Sequence, residues 1–244
     1  MKQNMVYGMH PVENLLNSSI KIKEIFILKG LQHKKQEAIL GKAKEKGIMV
    51  RVISDRKQMD QMADNATHQG IIAVLKTEAQ YRHLDDFKDA RTLVMLDHIT
   101  DPGNFGAILR TCDLFQIDGV IIPQNRSCEL NSTVIKASSG AAFFVPVIRV
   151  TNLSRALSQL KDWGFWSYAT VGEEGEDIGQ VDFSDKSLLI LGSEGKGVSQ
   201  KIREASDFKV TIPTAGHIDS LNVSVAAGIS IYEVSRKKIQ VQGG

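Results

Sequence analysis

Three short polar segments of this 244-residue chain hold most of the side chains that could do chemistry. The first, DPGNFGAILRTCD at 101–113, carries Asn104 and Arg110. Asp101-Pro102-Gly103 is a turn signal, and Asn104 is placed to cap a helix starting near Phe105. Arg110 then lies among Ala107, Ile108, Leu109, Thr111 and Cys112. A lone Arg in such a helix either snorkels or pairs with a carboxylate, or it turns its guanidinium into a cleft to hold a phosphate or hydroxyl. The second segment, LGSEGKGVS at 191–199, has glycines at 192, 195 and 197 that let the backbone turn sharply and present N–H groups to a ligand. Its order, G-x-x-G-x-G, is not the dinucleotide fingerprint, and Lys196 precedes Gly197 rather than Ser or Thr, so it is no phosphate-binding Walker loop. Glu194 would repel phosphate there; it suits a cation, a hydroxyl or an amine donor, or stands as a solvated loop acid.

The third segment, IPTAGHIDSLNVSVAAGIS at 212–230, sets Ser220 and Asn222 at the start of a helix, with capping as the simplest role for Ser220. Leu221, Val225, Gly228, Ile229 and Tyr232 recur at helical spacing, and Arg236, Lys237 and Lys238 crowd the far end, so the helix is predicted over 220–238. Ala226, Ala227, Gly228 and Ser230 give it a thin face for close packing. His98 and His217 fall in two of these loops without ligand or triad spacing.

The elements that must position these loops alternate along the chain. Apolar runs at 92–97, 119–122, 143–149, 165–170, 187–191 and 208–212 read as strands, with helical stretches at 104–116, 131–139, 151–162 and 199–205 between them. Continuous apolar strands alternating with helices predict an α/β fold with a mostly parallel sheet covered on both faces, and ligands in such sheets bind beyond the strand C-termini. All three polar loops follow a candidate strand. Upstream, 24–28, 49–53 and 70–75 read as strands separated by helices over 32–46 and 55–64, the latter with Ser54 as N-cap. The division expected is a small α/β domain at 1–75, a polar linker at 76–91 and a larger domain at 92–244.

Charge follows that division. Residues 1–75 hold 12 Lys/Arg against 7 Asp/Glu, while 76–244 hold 18 against 21, so the basic excess is N-terminal. A solvated face explains that excess about as well as a nucleic-acid contact does. Cys112 and Cys128 are too few for a disulfide framework and lack metal-ligand spacing, which predicts reduced, buried thiols and no metal. No apolar leader opens the chain and no stretch reaches membrane-spanning length, which predicts a cytoplasmic protein without membrane contact.

Taken together, N-F-G-A-I-L-R at 104–110, G-S-E-G-K-G at 192–197 and I-P-x-x-G-x-x-x-S-L-N-V-S-V-A at 212–226 resemble the three signature motifs of the SpoU/TrmH branch of the SPOUT RNA 2′-O-ribose methyltransferases. Y-G-M-H-P-V-E-N-L-L at 7–16 and H-Q-G-I-I-A at 68–73 are similar to the L30e-like RNA-binding domain of the subgroup that modifies guanosine in bacterial large-subunit rRNA. The resemblance implies a C-terminal α/β domain with a deep trefoil knot, a homodimer, and S-adenosylmethionine bound in the knot. It implies RNA, 23S rRNA above all, and not DNA as the partner. Position by position, it makes Arg110 the residue that engages the ribose 2′-hydroxyl, with Asn104, Glu194, Ser220 and Asn222 around it, and Gly192, Ile212 and Leu221 the cofactor contacts. A tRNA methyltransferase and a non-catalytic ribosome-assembly factor on the same fold are the alternatives. Gly103 stands where the family often has a larger polar residue, and 171–186 follows no motif.

Overall fold

The computed structural model describes residues 5–30, 34–63, 67–76, 81–217 and 220–242. In chain order the elements are β1 (Met5–Tyr7), α1 (Met9–Asn17), β2 (Ile22–Leu28), α2 (Lys34–Glu45), β3 (Met49–Ile53), α3 (Arg56–Met62), β4 (Ile71–Leu75), β5 (Thr92–Asp97), α4 (Pro102–Leu114), β6 (Gly119–Pro123) and α5 (Ser132–Ala137). They continue with β7 (Val147–Val150), α6 (Leu153–Asp162), β8 (Trp166–Thr170), the two-residue β9 (Glu176–Asp177), β10 (Ser187–Gly192), α7 (Gln200–Ala205), β11 (Phe208–Thr211) and α8 (Val223–Gln242). Two compact units result: Met1–Gln80 with Glu129–Phe144, and Tyr81–Cys128 with Val145–Gly244.

The first unit is a four-stranded sheet in the order β1-β4-β2-β3, with β2 and β3 parallel and β4 antiparallel to both its neighbours. Val12, Leu15 and Leu16 of α1 pack with Ile25, Ile39, Ile71 and Ala73, and Ile135 of α5 joins the same buried cluster. The segment 129–144 therefore completes this core although it lies within the stretch 92–244 in sequence. Asn14 Nδ2 donates to the Ser139 carbonyl at 2.5 Å, and Gly140, at φ +90°, passes so close that a Cβ there would lie 2.8 Å from Asn14 Cβ. Local periodicity cannot show this, because an apolar helix carries no label for the core it will join.

The turn at 68–70 shows why the H-Q-G sequence stands before β4. His68 Nδ1 accepts from the Gly70 N–H at 2.9 Å, so the ring proton is on Nε2 and donates to Asp60 at 2.8 Å. Gln69, at φ +52°, sets its side-chain carbonyl 3.0 Å from the Met9 N–H, supplying α1 with a cap that its own Gly8 cannot offer. At α3 the cap is Asp55, which accepts from Lys57 N at 2.9 Å, rather than the expected Ser54.

The second unit is a seven-stranded sheet in the order β7-β6-β5-β10-β8-β11-β9, and every pairing in it is parallel. β5, β6 and β10 are buried along their whole length, as strands covered on both faces must be. Met95, Ile121, Leu188 and Ile190 pack under Leu153, Leu157 and Leu160 of α6, and each such side chain contributes roughly 1.5–3 kcal/mol on burial. Leu84 joins this core and the Arg82 N–H donates to the Val147 carbonyl at 2.9 Å. Residues from 81 onward thus belong to the second unit instead of a linker; the expected linker residues 77–80 lie outside the described ones. The strand expected at 143–149 forms only from Val147: Ala141–Phe143 is a 3-10 turn, and Pro146, with its fixed φ and no N–H, stands just ahead of the ladder. Both cysteines are free and buried, and burial pushes the Cys112 thiol well above its ordinary range.

Candidate active site

Because every strand of the large sheet runs the same way, the loops after β5, β10 and β11 all emerge at one edge. β5 and β10 are neighbours, and their last residues, Asp97 and Gly192, are register partners. The first and second polar loops therefore leave the sheet side by side.

The second loop folds back on the strand it leaves. Gly197 N donates to the Ser193 carbonyl at 2.8 Å, and Gly195 and Gly197 turn the chain at φ +78° and +66°. Gly192 lies directly under the returning backbone: a Cβ there would fall 1.9 Å from Gly197 C and 2.0 Å from Val198 N. Val198 then drops into the core, pinning the far end of the loop. Glu194 is exposed at the tip.

The first loop leads into α4, capped by Asp101, which accepts from Asn104 N at 2.7 Å with Pro102 in the first turn. The expected cap, Asn104, is instead inside the helix, and its side chain is left for another use. Asn104 Oδ1 accepts from Asn222 Nδ2 at 3.2 Å, joining the first loop's helix to the third loop. Asn222 is also the cap of α8: its backbone carbonyl receives Val225 N and Ala226 N, and its side-chain oxygen receives Ser224 N at 2.9 Å. The capping role expected of Ser220 has thus moved two residues on. Ser220 is exposed, Ile212 and Leu221 are half-buried, and Arg110 is exposed on α4. Replacing Ser220 with Ala should leave thermal stability within about 0.5 kcal/mol of the parent, because the side chain is neither buried nor the cap; a larger loss in a melting experiment would show a structural role.

The large apolar residues whose spacing marked α8 as a helix do not form its buried face. Val225, Ile229 and Tyr232 are 50%, 36% and 49% exposed, whereas Val223, Ala227, Ile231 and Val234 pack inward. Nor does Gly228 serve a close approach within the chain, since a Cβ there would meet nothing within 4 Å. Tyr232 does touch α4's end, its ring edge-on to Phe115 with centroids 5.8 Å apart.

Residues 91–232 match the SpoU rRNA Methylase family. The chain belongs to that family. Residues 5–81 match a second family, described as RNA 2′-O ribose methyltransferase substrate binding. Among SpoU relatives, the 23S rRNA (guanosine-2′-O-)-methyltransferase RlmB of Escherichia coli K12 is 38% identical over 240 residues, 96% of this chain and 98% of that protein. A putative TrmH family tRNA/rRNA methyltransferase of Staphylococcus epidermidis is 41% identical over 99% of both chains. An AdoMet-bound rRNA methyltransferase from Sinorhizobium meliloti superposes with a TM-score of 0.78 at 25% identity, over 96% of this chain and 87% of that one. The similarity to this solved structure covers residues of both units.

Sequence reasoning passed over Asp97. Its signal was a single acid ending the otherwise apolar strand TLVMLD, at the edge where ligands of parallel sheets bind.

Proposed function

We propose that this protein transfers a methyl group from S-adenosylmethionine to a ribose 2′-hydroxyl in RNA, at a guanosine of 23S rRNA. The observation that carries the reading is the Asn222–Asn104 contact at the edge shared by all three loops, which joins the α4 helix that bears Arg110 to the start of α8. The substrate assignment draws on the 23S rRNA relatives and on the substrate-binding match at 5–81.

The residues present suit that cofactor. A loop turned by glycines offers backbone donors and acceptors for an adenine and an amino-acid tail, Gly192 lets it lie flat on the sheet edge, and half-buried Ile212 and Leu221 supply apolar contacts. When bound, the cofactor provides an electrophilic sulfonium methyl that needs no acid. The task left to the protein is to align the 2′-hydroxyl and favour its alkoxide. A guanidinium offers only donors and no acceptor for the proton, so Arg110 instead stabilises the developing negative charge while the proton passes to solvent or an RNA phosphate. Asn104 and Asn222, fixed on each other, orient the ribose, with Ser220 and Glu194 as exposed polar companions.

The first unit, with its basic excess, takes the RNA, and the enzyme works in the cytoplasm. A homodimer and a knotted C-terminal segment complete the proposal. Support for the dimer comes from the exposed stripe Val225, Ile229 and Tyr232 beside Leu114, which is 69% exposed, an apolar surface that a second copy would cover. Ile229→Asp should convert the dimer to monomer by light scattering; an unchanged mass would place the interface elsewhere.

Methyl-labelled cofactor incubated with unmodified 23S rRNA and with tRNA tests the reading. Label on a guanosine 2′-oxygen of the rRNA is expected. Label on tRNA alone would move the substrate, and no label on either would overturn the assignment.

A further inference from the structure

Asp97 is 1% exposed, yet it is an acid at the end of a central strand. Both its oxygens are occupied. Oδ2 accepts from the Ser199 N–H at 2.7 Å, at the point where the second loop re-enters the fold before α7. Oδ1 lies 2.5 Å from His98 Nδ1. A carboxylate can only accept, so the His98 proton is on Nδ1 and donates to it. His98 is 42% exposed and holds φ +64°, a left-handed conformation that a side chain adopts at a cost unless something compensates. It opens the loop that leads to Asp101 and so to the helix carrying Asn104 and Arg110.

We infer that Asp97 and His98 form a positioning pair that fixes the 193–199 loop against the loop leading into α4, so that cofactor and catalytic side chains are held in register. One buried carboxylate joins two segments about a hundred residues apart in sequence, at the position where Asp97 faces Gly192 across the ladder. The strained backbone of His98 is what sets its ring nitrogen against that carboxylate. Both act as positioning residues, through the loops they hold.

Asparagine at 97 replaces the charged acceptor of both links by a neutral amide, which weakens them even where His98 shifts its proton to Nε2 and accepts from that amide. The inference rests on the reading of the site as one for S-adenosylmethionine, and the test separates the two. Cofactor binding is measured by calorimetry, methyl transfer at saturating cofactor by label, and folding by thermal denaturation. For Asp97→Asn the cofactor Kd should rise about tenfold, equivalent to about 1.4 kcal/mol. His98→Gly, which keeps the backbone conformation but removes the ring, should weaken binding or turnover several-fold. His98→Asn should restore most of it, since Asn tolerates the left-handed region and its amide can donate to Asp97. Should Asp97→Asn fail to fold, the two His98 variants decide alone. Wild-type affinity and turnover in both His98 variants, or equal losses in both, would overturn the pairing, as would a folded Asp97→Asn protein that binds cofactor like the parent. A parent protein that binds no S-adenosylmethionine would remove the proposed function and this inference with it.

Discussion

Arg110→Ala should lower methyl transfer about 10³-fold while cofactor affinity changes less than about threefold. The magnitude is that of removing one preorganised donor from a developing oxyanion, at its upper end because a full charge is lost with it. Arg110 is exposed on α4, about two and a half turns beyond the Asp101 cap, and its substitution should leave the melting temperature nearly unchanged. A fall in activity can therefore be read as chemistry. Arg110→Lys keeps the charge but loses the planar fork, so it should recover only part of the rate. Single-turnover transfer with saturating cofactor and RNA is the measurement. Near-parental rates in Arg110→Ala would remove the residue from the reaction, and would favour an RNA-binding assembly factor if parental transfer were itself absent.

Gly192→Ala is expected to be the most damaging alanine substitution among the described glycines. The added carbon would meet Gly197 C, Val198 N and Gly197 O at 1.9, 2.0 and 2.2 Å, against a normal separation of about 3.5–4 Å. All three obstacles are backbone, so no rotamer change relieves them. β10 is paired on both sides, to β5 and β8, and cannot move away. The loop 193–197 must lift instead, pulling at Val198 in the core. Stability should fall by about 1–3 kcal/mol or more, and cofactor affinity by about two orders of magnitude. Gly195→Ala is the control. Its Cβ would meet nothing within 4 Å, and only its φ of +78° is unfavourable, so a cost of about 1–2 kcal/mol with cofactor binding retained is expected. Calorimetry and thermal denaturation on the pair separate collision from strain; equal effects would show that the close passage at Gly192 does not matter.

The comparison of sequence with structure turns on a few residues. The strand Thr92–Asp97 was legible to the residue because a buried parallel strand is a continuous apolar run, and Asp101-Pro102 marked the start of α4. Cap assignments slipped at Ser54, Asn104 and Ser220, each time to a neighbouring Asp or Asn able to do the same work. Several polar residues in a row all satisfy a capping rule, and only the path of the chain selects one. The spacing of Leu221, Val225, Ile229 and Tyr232 identified a helix correctly, yet Val225, Ile229 and Tyr232 lie on its exposed side. A small-residue stripe containing Ala227 is as good a buried face as a large-residue one when the neighbouring sheet is close.

By itself the sequence determined the residue types of the site and their order along the chain: Asn104 and Arg110, Gly192 and Glu194, Ser220 and Asn222, each in a polar loop after an apolar strand. It also determined that those strands are parallel, which puts the loops at one edge. Tertiary structure alone decided which of these side chains meet. Asn104 bonds Asn222 across more than a hundred residues, Asp97 reaches Ser199, and 129–144 joins the core of the first unit. Periodicity and capping are local rules, acting over a few residues, whereas those contacts depend on strand order in the sheet, where β5 lies beside β10 and far from it in sequence.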